Sequence, residues 1–135
     1  MIRIENMVFT TVARKLRDTF SDKDLYIVGE YHNVPTHFPA ISIEEVSNTT
    51  ATSYIDSSRT EKYAEVVYDI NIYSNLMNGR KQETKDIADI ADKVMVEELG
   101  FRRTISTPTP YEDDTIYRFT NRYQATVSNE NTIYR

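Results

Sequence analysis

Two stretches hold the side chains best equipped for chemistry. Between Glu30 and Pro39 lie both histidines of the chain, His32 and His37, with Glu30 close by. Imidazole and carboxylate groups are metal ligands and also general acids and bases. The spacing of His32 and His37 matches no helical histidine pair, and Pro35 between them imposes extended or turn backbone. Surface or packing roles are therefore expected for both. In a later helical pattern Asp86, Asp89 and Asp92 recur every three residues, a carboxylate row of the kind a hard cation takes. Lys85 and Lys93 alternate with it, so a solvated, salt-bridged helix face is expected instead. Glu44 and Glu45 are further acid–base candidates, but no spacing forces any of these groups to converge.

The recognisable catalytic motifs are absent. The chain contains no Gly-rich phosphate loop, no nucleophile elbow and no metalloprotease helix. Three glycines, none adjacent to another, are a poor supply for a backbone phosphate cradle. There is no cysteine, which removes thiol nucleophiles, thiolate metal sites and disulfides together and fits a reducing compartment. The expectation is a protein with no catalytic residue, no metal and no cofactor.

The elements that would position these groups follow from periodicity. The run Tyr63–Ser74 alternates, with Val66, Tyr68, Ile70 and Ile72 on one face and Glu65, Asp69 and Asn71 on the other, the period of a half-buried strand. After a break at Asn78-Gly79, Ile87, Ile90, Ala91, Val94 and Leu99 recur at helical spacing. Asn78 is placed to cap that helix, and Gly100 stands where a left-handed C-terminal cap belongs, with Phe101 to close it. Residues 2–20 form a second amphipathic helix, its stripe being Ile4, Met7, Val8, Val12, Leu16 and Phe20. Arg14, Lys15 and Arg17 raise a membrane-surface alternative, but the narrow stripe is needed for a core.

Shorter strands are expected at Leu25–Val28, at Ala40–Val46 with Ile41 and Ile43 inward and Ser42 and Glu44 outward, and at Phe101–Ile105. A second long strand covers Ile116–Val127. In it Phe119, Tyr123, Ala125 and Val127 face one way, and Arg118, Thr120, Arg122, Gln124 and Thr126 the other. Paired with the Tyr63–Ser74 strand, it would set Arg118 and Arg122 against Glu65 and Asp69. The fold class expected is α+β, a mostly antiparallel sheet with two main helices, about 2–20 and 80–99, packed on one face. One domain spans 1–135, an ordinary domain length.

Two loops stand out. Residues 47–60 are small and hydroxyl-rich, and read either as a mobile hairpin loop or as an arm that orders on a neighbouring subunit through Tyr54 and Ile55. Residues 107–114 form a proline-stiffened loop with Glu112, Asp113 and Asp114 at its tip. The tail ends in Ile133-Tyr134, able to dock on a partner or on the sheet edge.

The net charge is −5, and residues 24–58 contain no Lys or Arg. Such a chain lacks the broad basic footprint of a nucleic-acid binder and would let DNA pass rather than grip it. Its N-terminus has no basic lead before an apolar block, so no signal peptide is expected, and no apolar run approaches a membrane span.

Three features carry a resemblance. They are His37-Phe-Pro-Ala-Ile-Ser-Ile43 entering a strand, Val66–Tyr73 followed by the Ile87–Leu99 helix ending in Gly-Phe, and Tyr117-Arg-Phe-Thr-Asn-Arg-Tyr-Gln-Ala125. In this order the chain resembles the tail terminator or tail-completion proteins of long-tailed bacteriophages and prophages. The resemblance implies a homo-oligomeric, hexameric ring on the head-proximal end of the tail tube. Its partners would be other copies, the tail tube protein and a neck or head-completion protein, with DNA passing through the lumen and no membrane involved. It implies a virion location, assembly in the host cytoplasm, and no reaction. Tyr54, Ile55, Arg59 and Lys62 become candidate subunit or tube contacts, and Glu44, Glu45, Glu112, Asp113 and Asp114 candidate lumen or rim acids. The alternatives are another head–tail connector component, such as a head-completion or stopper protein, or a non-viral, immunity-type domain that masks a basic partner.

Overall fold

The computed structural model describes residues 1–30, 35–50 and 62–134. Helix α1 (Glu5–Thr19) is followed by strands β1 (Tyr26–Val28), β2 (Ala40–Thr50) and β3 (Tyr63–Ser74). Helix α2 (Arg80–Asp92) runs on into a π-helical turn, Lys93–Glu98, and β4 (Arg102–Thr109), β5 (Tyr117–Ser128) and β6 (Ile133–Tyr134) complete the order. The strands form one six-stranded sheet in the order β1-β2-β3-β5-β4, with β6 also on β5. Among the described residues only the β1–β2 pair is parallel; the other pairs are antiparallel. The protein is thus α+β, with a mostly antiparallel sheet and two helices.

Apolar periodicity explains why the helices sit on one face. Val8, Val12 and Leu16 of α1 and Ile87, Ala91, Val94 and Met95 of α2 and its extension are buried with Ile41, Ile43, Val66, Tyr68, Ile70 and Ile72 of the sheet. Burying one such aliphatic side chain stabilises by about 1.5–3 kcal/mol. A side-chain cap contributes about 1 kcal/mol, and neither helix has one. Packing therefore holds these helices in place. Met7, expected in the stripe, is exposed, while Ile2 and Ile4 are buried ahead of the first turn.

The helix ends differ in outcome. Gly79, not Asn78, occupies the α2 N-cap, with φ +86° and no side-chain hydrogen bond. At the other end Gly100 takes φ +85°, as its position suggested. There the Leu99 N–H donates to the Val94 carbonyl and the Phe101 N–H to the Met95 carbonyl, both at 2.8 Å. Phe101 is fully buried, its ring edge-on to Tyr68 at 5.5 Å.

Strand ends run past the expected loops. Ser47–Thr50 are not loop but pair with Ala64–Val67 of β3 after a bulge at Val46, and Thr107–Thr109 pair with Arg118–Thr120 of β5. Hydroxyl-rich sequence was misleading because threonine suits strands as well as loops. The tail docks on the sheet edge, Ile133 opposite Val127 and Tyr134 opposite Thr126.

Candidate functional site

The face of the sheet away from the helices carries the densest polar constellation. Register aligns its side chains in rows across the strands. One row is Ser42, Asn71, Thr120 and Thr107; the next is Glu44, Asp69, Arg122 and Ile105. Asn71 is the hub. Its amide donates to Ser42 Oγ at 3.2 Å, and its Oδ1 accepts from Thr120 Oγ1 at 2.7 Å and from Arg118 Nη2 at 3.0 Å. Ser42, expected to point into solvent, is buried, as are Asn71 and Asp69. The Arg118 guanidinium lies 5.6 Å from the Tyr73 ring centroid, and Tyr111 meets that ring edge-on at 5.6 Å.

In the adjacent row Arg122 clasps Asp69 with Nε–Oδ1 at 2.8 Å and Nη2–Oδ2 at 3.0 Å. The hydrogen bond to Asp69, and then its charge, raise the Arg122 pKa above its ordinary value. Of the two ion pairs expected here, this one forms. Glu65 faces Thr126 instead, and Arg118 faces Tyr73. This hydrogen-bonded surface exposes part of the Arg122 side chain, whereas the Tyr73 ring is buried within it.

A second constellation is more deceptive. Ser74 Oγ donates to Glu83 Oε1 at 2.6 Å, and Lys23 Nζ to Glu83 Oε2 at 2.6 Å. Serine, carboxylate and lysine are the components of nucleophilic catalysis. Ser74, however, is 0% exposed, so no substrate can reach its hydroxyl. The cluster is a clamp tying the α1–β1 link to the end of β3 and the first turn of α2. Lys23 is 60 residues from Glu83 in the chain, and Glu83, a charged residue, occupies the buried stripe of α2 one turn before Ile87, so sequence alone does not mark the cluster.

The histidine and aspartate candidates are now placed. His32 lies outside the described residues. His37 is exposed, its ring centroid 5.5 Å from that of Tyr26 and its Nδ1 3.0 Å from Thr36 Oγ1. Glu30 is exposed. Asp86 and Asp89 are exposed, Asp86 accepting from Gln82 at 2.8 Å. Asp92 is drawn inward and accepts from Tyr123 Oη at 2.9 Å and Arg103 at 3.0 Å. Burial, and then Asp92, push the Tyr123 phenol well above its usual range. Among the described residues no cluster of three or more His, Asp or Glu is arranged to hold a metal ion.

Of the contact candidates, Tyr54, Ile55 and Arg59 lie outside the described residues. Lys62 is exposed beside a cleft of about 230 Å³ lined also by Tyr63, Ser128, Asn129, Glu130 and Tyr134. Glu112, Asp113 and Asp114 are exposed between β4 and β5. Asp113 accepts from the Thr115 hydroxyl and N–H, which lower its pKa. Glu44 and Glu45 are adjacent in β2 and project from opposite faces of the sheet. Glu44 aligns with Asp69 on the polar face, and Glu45 with the buried Tyr68 on the helix face. Desolvation is the first cause raising the Glu45 pKa, with the Glu5 carboxyl adding to it. One surface therefore cannot use both.

Among the described residues no helix is long and apolar enough to cross a membrane. Neither a family model nor a curated protein matches the chain.

Proposed function

We propose that the chain is a structural virion protein, a tail terminator of a long-tailed bacteriophage or prophage. Copies form a hexameric ring on the head-proximal end of the tail tube, stop its polymerisation and offer a docking surface to the neck or head-completion protein. DNA passes through the lumen without sequence-specific contacts, and no reaction or cofactor is involved. The ring assembles in the host cytoplasm and stays at the head–tail junction.

The observation that supports this reading is the architecture. The resemblance implies helices packed on a mostly antiparallel sheet, and both helices here lie on one face of such a sheet. The other face is left as a hydrogen-bonded polar surface. The test is assembly: the protein is added to polymerising tail-tube subunits and tube ends are imaged. Short tubes with a capped end are expected. Tubes of unchanged length with bare ends would end the terminator assignment.

A further inference from the structure

The start of α1 meets β2 at two carboxyl groups. Asn48 fixes the junction, its amide donating to the Ile2 carbonyl at 2.8 Å and to Glu45 Oε1 at 2.9 Å. Glu5, the first residue of α1, brings its carboxyl within hydrogen-bond reach of the Glu45 carboxyl. Two ionised carboxylates repel at this range unless a proton or a cation lies between them. Among the described residues the Asn48 amide is the one hydrogen-bond donor to Glu45, and Arg3 acts on it through charge alone.

Strand β3 supplies an independent observation. Tyr68 is aligned with Glu45 across the β2–β3 pair and is 1% exposed. Cross-strand neighbours on one face have Cβ atoms about 5 Å apart. The Tyr68 hydroxyl nevertheless donates to neither carboxyl, and among the described residues it has no hydrogen-bond partner. Burial, and then the charges of Glu45 and Glu5, push its pKa well above the usual phenol range, so it keeps a proton that nothing accepts. A buried hydroxyl in this state is destabilising. It stands next to two acids that repel each other, and one guest relieves both costs.

We propose that this junction is a calcium site, with Glu5 and Glu45 as its anionic ligands and the Tyr68 hydroxyl donating to a water on the ion. Calcium binds oxygen at about 2.4 Å in irregular geometry, which suits carboxylates carried by a helix and a strand. Oxygens up to roughly 4.8 Å apart, beyond hydrogen-bond range, can therefore share one ion. Magnesium demands a near-ideal octahedron and suits the pair less well. With two acids in place of three, water fills the remaining positions. The exposed tip 112–114 holds more carboxylates, but Asp113 there is already satisfied by the Thr115 hydroxyl and N–H.

The test is calorimetric titration of the chelator-stripped chain with calcium chloride at neutral pH. One ion per chain is expected, with a rise in Tm. Glu5→Gln and Glu45→Gln should each weaken binding at least about tenfold, and both are kept in comparison only if they unfold cooperatively in urea. Asp113→Asn with Asp114→Asn should bind as the parent does. Absence of binding to the folded parent would overturn the proposal, as would binding that survives both glutamine variants or vanishes with the tip variant. A parent stabilised by mild acid and not by calcium would mean that the two acids share a proton, which also overturns it. Terbium gives a second reading, because the chain has ten tyrosines and no tryptophan to excite its emission. Tyr68→Phe is expected to lower terbium emission at saturation and to weaken calcium several-fold; unchanged emission and affinity would count against the site.

Discussion

Arg122 and Asp69 face each other across the two central strands, joined by parallel hydrogen bonds of 2.8 and 3.0 Å. Asp69 is nearly buried, whereas the Arg122 side chain is 44% exposed, so solvent screens part of the attraction. Glu44 is aligned with Asp69 on the next strand, and Arg122 offsets that juxtaposition of like charge. A double-mutant cycle with Asp69→Asn and Arg122→Gln, read by urea unfolding, should give a coupling of about 1 kcal/mol. Additive effects would mean that the pair is ordered without being stabilising.

Truncation of Glu83 should be costly. Its carboxylate is buried and takes both Ser74 and Lys23 at 2.6 Å. Glu83→Ala strands the Ser74 hydroxyl and opens a gap under the first turn of α2, with an expected loss of about 2–4 kcal/mol. Glu83→Gln keeps an acceptor for Ser74 and should cost less. Chemical denaturation of the two variants checks the order, and equal losses would contradict the clamp.

Glu45 predicts a dependence on pH. Its pKa in the folded protein lies above the ordinary 4.5, chiefly through desolvation. The folded state therefore binds the proton more tightly than the unfolded one, and stability falls as pH rises from about 4.5 through the raised value. Glu45→Gln removes this titration and keeps an oxygen for the Asn48 amide, which donates to Glu45 at 2.9 Å. The variant should gain on the parent at neutral pH and lose the advantage below 4.5. Parallel unfolding curves across that range would refute the assignment.

Gly100 should resist substitution for a backbone reason. A Cβ there would meet nothing closer than 3.9 Å, yet φ is +85°. Left-handed backbone costs an L-residue roughly 1–2 kcal/mol, so Gly100→Ala should lower Tm by a corresponding few degrees. A scan showing no change would mean that the helix end relaxes.

The amphipathic patterns of the chain were sufficient to locate both helices and the long strands, but not β6 or the far ends of β2 and β4. Alternation placed β3 at Tyr63–Ser74, and helical spacing placed α1 and α2, because one-sided burial writes its period into the residue types. Gly100 and Phe101 revealed the helix end for the same kind of local reason, a positive φ followed by an apolar lock. Polar residues were less legible. Ser42, Asp69, Asn71 and Glu83 look like solvent-facing residues in sequence and are buried in the fold. Their burial depends on partners from 9 to 60 residues away, which only the pairing of strands and the docking of helices bring within hydrogen-bond reach. Local periodicity thus determined which face of each element is apolar. Tertiary structure alone decided which polar groups would satisfy one another, and that Glu44 and Glu45, neighbours in the chain, would end on opposite sides of the sheet.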